Sequence, residues 1–196
     1  MNHDATFRPV MIAGFVAVVL VTLYHRIRAA KAKESLDRQQ EGLFILATLR
    51  PIALLLWLGI IAYMINPAVM AWSSVPLPVW LRWSGAGVGV AAVVLLTWTL
   101  RSLGPNLTDT VVTRRAHTLV TTGPYRWVRH PFYVSMTLFI LTNVLLAANW
   151  FLLVTGVLVV ALIVLRTSRE EDRLRARFGD AWQTYMSQTG RFLPRV

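Results

Sequence analysis

The 196-residue chain contains no cysteine. Disulfides, thiolate nucleophiles, iron–sulfur clusters and cysteine-rich zinc sites are therefore excluded. Charge is also scarce. Asp, Glu, Lys and Arg make up 15% of the residues, against about 25% in an ordinary soluble domain. Acidic residues are the rarer sign, 9 against 20 basic ones. No HExxH, P-loop, GxGxxG or GxSxG pattern stands in a supporting context, so zincin, nucleotide-binding and serine-hydrolase chemistry find no foothold. The four histidines are scattered at positions 3, 25, 117 and 130, which argues against a resident metal. What is abundant is apolar: 56% of the chain is hydrophobic and mean hydropathy is +0.54. A formal charge of +11 on such a chain points to a bilayer rather than to nucleic acid.

Charge-free stretches run from Pro9 to His25, Pro51 to Leu81, Trp83 to Leu100 and His130 to Leu165. A membrane-crossing helix needs about 20 apolar residues, with about 17 as a lower limit. The gaps predict spans at about 9–27, 43–65 and 79–100. Arg82 would be tolerated in the third by snorkelling, and Gly85, Gly87 and Gly89 would admit a close neighbour. The last gap is too long for one helix. Dividing it at Ala147-Ala148-Asn149-Trp150 gives a tight hairpin of 131–147 and 150–165.

Basic residues cluster in Arg26–Glu41, in Arg101–Arg129 and in the tail from Arg166, but are absent from Asn66–Pro78. By the positive-inside rule the three basic segments face the cytoplasm. The expectation is therefore an all-α integral membrane protein of five transmembrane helices. A single domain, 1–196, would sit in a membrane of the bacterial inner type, with the N-terminus outside and the C-terminus cytoplasmic. Leu174, Phe178, Trp182 and Tyr185 recur at helical spacing and predict one amphipathic cytoplasmic helix over Glu170–Ser187. It would lie on the membrane or lid a site.

Polar chemistry gathers between Thr118 and Tyr133. Gly123-Pro124 is a turn signal, and Pro131 suits the first turn of a helix. Arg129 and His130 then stand at a helix mouth, which favours an anion. Each residue also has a plainer reading: Arg126 and Arg129 as lipid-phosphate contacts, His130 as a cap, Tyr125, Trp127 and Tyr133 as belt aromatics. Glu170 and Glu171 fit ordinary dipole complementarity, but the hairpin would bring them to the same membrane face as Arg129 and His130. A carboxylate there could receive an ammonium or offset a sulfonium charge.

The run Leu119-Val-Thr-Thr-Gly-Pro-Tyr-Arg-Trp-Val-Arg-His-Pro-Phe-Tyr133 resembles the isoprenylcysteine carboxyl methyltransferase family and the related membrane phospholipid methyltransferases. So do Glu170-Glu-Asp-Arg-Leu-Arg-Ala-Arg-Phe-Gly-Asp-Ala-Trp-Gln-Thr-Tyr185 and Arg191-Phe-Leu-Pro194. The resemblance covers about residues 101–194 and implies a membrane methyltransferase using S-adenosyl-L-methionine. Its lipophilic or prenylated substrate would enter from the bilayer, with membrane lipids as the other partners and neither nucleic acid nor metal. Carried over by motif, the cofactor pocket takes Gly123, Tyr125, His130, Pro131 and Tyr133 from one half. From the other it takes Glu170, Phe178, Gly179 and Tyr185. Arg129 and Glu171 are the catalytic candidates, Arg129 orienting an anionic acceptor. A carboxylate acceptor needs no general base; an amine or hydroxyl would need Glu171 or His130. The same residues leave open a methyltransferase for phospholipids or small lipophiles, a non-catalytic scaffold gripping anionic lipid, and a small transporter.

Overall fold

The structure is a computed structural model that describes residues 3–30, 45–104 and 118–195. The expected basic residues Lys31, Lys33, Arg38, Arg114 and Arg115 lie outside the described residues, as do the first residues of the predicted 43–65 span. Six α-helices follow in order: α1 Asp4–Ala30, α2 Arg50–Ile65, α3 Val79–Leu103, α4 Pro131–Ala147, α5 Trp150–Phe178 and α6 Asp180–Gln188. A π-turn, Ile45–Leu49, leads into α2, and 3₁₀ turns cover Pro67–Ser73 and Gly123–Arg126.

The all-α membrane architecture stands, but the expectation of five spans does not. Among the described residues, four helices are long and apolar enough to cross a bilayer: Asp4–Ala29, Ala47–Ile65, Val79–Leu103 and Trp150–Phe178. The fourth predicted span is the 17-residue helix α4. At 1.5 Å per residue it rises only about 25 Å, against about 30 Å of hydrocarbon. Its surface also differs from that of its neighbours. Leu20 and Leu23 of α1, Leu54 and Leu58 of α2, Val90 and Val94 of α3, and Val157 and Leu165 of α5 are all exposed. Along α4 only Leu141 is an exposed large apolar residue, while Phe139, Ile140, Thr142, Asn143, Val144, Leu146 and Ala147 are buried. The helix is the core around which α1, α3 and α5 pack. Its polar side chains are satisfied along the helix itself: Ser135 donates to the Pro131 carbonyl, and Asn143 to that of Phe139.

Helix α3 approaches α4 through small residues. A Cβ on Gly85 would lie 2.7 Å from the Leu145 Cβ, and one on Gly89 2.9 Å from the Thr142 Cγ2, whereas Gly87 faces nothing. At the hairpin tip Asn149 caps α5, accepting from the Leu152 N–H at 3.1 Å. Its amide donates to Ser73 and to the Met70 carbonyl, which ties the tip to the 3₁₀ turn.

The tail also departs from expectation. No Gly or Pro interrupts the sequence between Gly156 and Gly179, so α5 continues past Leu165 and carries Glu170 and Glu171 on its own extension. Gly179, at φ +53°, breaks the chain, as the left-handed region favours glycine. The predicted single amphipathic helix is therefore an extension of α5 plus the nine-residue α6.

Arg82 does not snorkel. It is 6% exposed and turned inward. Its Nε donates to the Leu146 carbonyl at 3.0 Å, and an Nη donates to Asp4 at 3.0 Å and Tyr63 at 3.1 Å. The guanidinium also lies 4.2 Å from the Phe7 ring centroid. One side chain thus joins α1, α2, α3 and α4 at the end of the bundle that holds the hairpin tip. Arg82→Met should lower stability by about 3 kcal/mol, because removing one partner strands the others. Asp4→Asn should cost about 1 kcal/mol, since Asp4 reaches water. Unfolding by SDS titration from mild detergent measures both; two negligible losses would remove this network from the account of the fold.

Candidate functional site

At the opposite end of α4, the two predicted motifs meet on one carboxylate. Glu171 is 5% exposed. Its Oε1 accepts from Arg129 Nε at 2.9 Å and from His130 Nε2 at 3.2 Å. Its Oε2 accepts from Arg191 Nε at 3.0 Å and from an Arg191 Nη at shorter range. An ionised carboxylate only accepts, so Nε2 of His130 carries the proton. Burying such a charge costs several kcal/mol unless donors surround it, and here three side chains supply them.

Backbone geometry delivers those donors. The 3₁₀ turn at Gly123–Arg126 leads to residues 127–130, against which the C-terminal segment lies in parallel through a single bridge between Val128 and Gly190. Arg129 N–H donates to the Gly190 carbonyl at 2.8 Å, His130 N–H to that of Arg191 at 3.1 Å, and Gly190 N–H to that of Trp127 at 3.1 Å. The Arg129 side chain adds bonds to the carbonyls of Met186 and Thr189. This segment acts as a strap that α6 and the Glu171 cluster hold in place. At the α4 mouth Pro131 has no N–H, while the amides of Tyr133 and Val134 donate to the His130 carbonyl.

Three tyrosines line the same end. Tyr133 donates to Glu170 Oε2 at 2.7 Å and stacks on His130, with centroids 5.6 Å apart and planes 13° apart. Tyr185 donates to the Tyr125 carbonyl at 2.7 Å. Burial pushes both the Tyr125 and Tyr185 hydroxyls up from the ordinary phenol value, so both remain protonated donors at neutral pH. Trp182, 2% exposed, packs on Tyr185 with centroids 5.5 Å apart.

Tyr125, Arg129, His130, Pro131, Tyr133, Glu170, Glu171 and Tyr185 therefore gather at one end of the bundle. Gly123 sits on its far flank against Ser102 and Trp98 of α3. Phe178 and Gly179 form the α5–α6 corner, about 10 Å along the axis from Glu171. The sequence reading gave no role to Arg191. Its only signal was the closing Arg-Phe-Leu-Pro, because the pairing of residues 189–191 with 127–130 is tertiary. Two shielded N–H groups near this end, Arg166 Nε and Trp182 Nε1, have no hydrogen-bond partner. Among the described residues no three His, Asp or Glu side chains group as a metal site.

Residues 85–176 match the model of the isoprenylcysteine carboxyl methyltransferase family. The chain is 35% identical over 125 residues to the cobalt-zinc-cadmium resistance protein CzcN of Cupriavidus metallidurans, a match covering 59% of this chain and 55% of that protein. It thus spans about half the length of this curated relative. Among solved structures, the eukaryotic intramembrane Ras methyltransferase ICMT (isoprenylcysteine carboxyl methyltransferase) aligns with a TM-score of 0.58. The alignment covers 95% of this chain and 68% of that one at 24% identity, a likeness of fold.

Glu171→Ala should lower stability by about 3 kcal/mol, since it leaves buried Arg129 and His130 without their acceptor. It should also speed tryptic cleavage after Arg191 and Arg195, measured alongside the unfolding midpoint. Unchanged cleavage would mean that the strap is held by its backbone bonds alone.

Proposed function

Since the chain belongs to the isoprenylcysteine carboxyl methyltransferase family, we propose that it is an integral membrane methyltransferase. It uses S-adenosyl-L-methionine to methylate a lipid-like or prenylated acceptor at a carboxylate. The observation that carries this reading is the cluster of Arg129, His130 and Arg191 on the buried Glu171 carboxylate, which joins both family motifs at one end of an apolar bundle.

The donor set fits the cofactor. Arg166 Nε and Trp182 Nε1 are shielded donors without acceptors, and an adenosyl amino acid offers carboxylate, hydroxyl and ring-nitrogen acceptors. Glu170, oriented by Tyr133, offers a carboxylate to the ammonium. Tyr125, Tyr133, Tyr185 and Trp182 form the surrounding wall, and Phe178 and Gly179 set the corner that places α6. Bound there, S-adenosyl-L-methionine supplies an electrophilic sulfonium methyl for in-line attack. The protein contributes orientation and exclusion of water.

The engagement of the two candidate bases, Glu171 and His130, supports the choice of acceptor. Glu171 is held by three cationic or N–H-bearing side chains, and His130 directs its Nε2 proton at Glu171. With both oxygens engaged, Glu171 is not poised to accept a proton from an amine or hydroxyl, whereas an ionised carboxylate requires no base. Arg129 and Glu171 then act by holding the strap, with their combined charge setting the field beside the acceptor.

Orientation follows from charge rather than from the number of spans. Asp4 binds Arg82 at the hairpin-tip end, while Glu171 and the C-terminal strap lie at the other. Apart from Arg8 and Arg82 at the tip end, most of the described basic residues collect at the strap end, in Arg26, Arg28, Arg101, Arg126, Arg129 and the tail. The positive-inside rule puts that end in the cytoplasm and the N-terminus outside. The bacterial source of the curated relative supports an inner-membrane location.

Purified protein in nanodiscs, given methyl-labelled cofactor and an N-acetyl S-farnesylcysteine acceptor, should form a base-labile methyl ester. It should also bind S-adenosylhomocysteine saturably in calorimetry; a folded protein that binds none would refute the reading. Trp182→Phe keeps the packing and removes one donor. It should weaken S-adenosylhomocysteine binding about tenfold with little change in the unfolding midpoint.

A further inference from the structure

Helices α1 and α3 both leave the tip end, where Asp4 binds Arg82, and stay packed toward their far ends. There Val18 and Val21 of α1 share one apolar cluster with Leu96, Leu100 and Leu103 of α3. One turn beyond Val21, His25 stands within the electrostatic reach of Arg28 on its own helix and of Arg101 on α3. Both arginines are exposed. Tyr24 positions the group. An Nη of Arg28 donates to its hydroxyl at 3.1 Å, and the guanidinium lies 5.6 Å from the ring centroid. His25 meets the same ring edge-on, with centroids 5.1 Å apart and planes at 88°.

Basic side chains thus converge from two helices, and like charges at this range repel. Among the described residues neither Arg28 nor Arg101 forms an ion pair. A helix C-terminus contributes about half a negative charge, less than two guanidiniums carry. Depth identifies the missing anion. From Asp4 to His25 α1 rises about 32 Å, and from Arg82 to Arg101 α3 rises about 28 Å. Both match a hydrocarbon layer of about 30 Å, so these cations stand at the level of the lipid phosphates. Directly beside them, Leu20, Leu23, Tyr24 and Ile27 are exposed along α1, an apolar surface for an acyl chain.

We propose that His25, Arg28 and Arg101 form a binding site for an anionic phospholipid of the leaflet at the strap end. The guanidiniums take the phosphate, an imidazole N–H adds a donor, and an acyl chain lies along Leu23 and Ile27. A zwitterionic lipid fits less well, because its ammonium group meets the same cations. None of these residues touches the Glu171 cluster, and the site stands independently of the methyltransferase reading.

Native mass spectrometry of the full chain in detergent tests the site, with phosphatidylglycerol and phosphatidylcholine of identical acyl chains as probes. Wild-type protein should bind one phosphatidylglycerol about tenfold more tightly than phosphatidylcholine. Arg28→Gln and Arg101→Gln should each reduce that preference about fivefold, and Arg101→Lys should keep most of it. Arg26→Gln removes the same charge from the same end of α1 and should change the preference less than about twofold. Thermal unfolding checks that each variant is folded. Excess glycerol phosphate, which has the anion without the acyl chains, should not displace the lipid. Three results would each overturn the site: no lipid preference in the wild type, equal losses for Arg26→Gln and Arg28→Gln, which diffuse attraction to a basic helix end produces, or displacement by glycerol phosphate.

Discussion

A single buried carboxylate organises the working end of this protein. Glu171 sits where an α-helix leaves its apolar surroundings, at 5% exposure, and an unpaired charge there would be prohibitive. The fold meets that cost by bringing three donor side chains from two directions: Arg129 and His130 from the α4 mouth, and Arg191 from the C-terminal strap. Each partner comes with its own backbone constraint. Arg129 and His130 are pinned by the Gly190 and Arg191 carbonyls, so satisfying Glu171 also fixes the strap, and the strap fixes how α6 lies against Tyr125. The site is a consequence of charge neutralisation propagated through backbone pairing.

The same logic operates in mirror image at the other end. Arg82, buried at the tip side, gathers Asp4, Tyr63 and the Leu146 carbonyl. Between the two polar clusters lie apolar contacts, from Phe7, Ile60 and Leu152 at one end to Leu96, Leu100 and Phe139 at the other. Hydrophobic packing inside a bilayer does not discriminate strongly between helix partners, because lipid is as apolar as leucine. Directional bonds at both ends, with Gly85 and Gly89 allowing α3 close to α4, supply the register that apolar burial cannot.

Much of this architecture is legible from local rules. Charge gaps locate the apolar helices, Pro131 opens α4, and Gly179 closes α5. The motif residues Arg129, His130 and Glu171 are brought together as their shared membrane face suggests. What escaped the sequence is what depends on a distant partner. A largely apolar stretch of 17 residues reads alike whether a helix faces lipid or protein, so α4 has the sequence pattern of a span. Arg82 reads as an interfacial residue from its local sequence because Asp4, its partner, is 78 positions away. Arg191 carried no signal, since its role exists only once residues 189–191 pair with 127–130. The tail divides differently from its apolar pattern because Leu165 marks the end of apolar character but not the end of helical geometry.

The short α4 that removed a span from the count also fixes the depth of the chemistry. From Ala147 back to Pro131 the helix rises about 25 Å, and from Trp150 to Glu171 α5 rises about 32 Å. Both distances start at the hairpin tip, and they bracket the hydrocarbon thickness of about 30 Å. The Arg129–Glu171 cluster therefore lies at the boundary between acyl chains and headgroups rather than out in water. At that level the exposed Val164 and Leu165 of α5 face lipid, while Arg166 and Glu170, within the next two turns, face polar surroundings. On the methyltransferase reading proposed above, a lipophilic acceptor can keep its apolar part in the bilayer while its charged head meets the site. An adenosyl amino acid can reach the same level from the aqueous side. The two reactants differ in the phase they come from, and the boundary is the one depth at which neither has to leave its own.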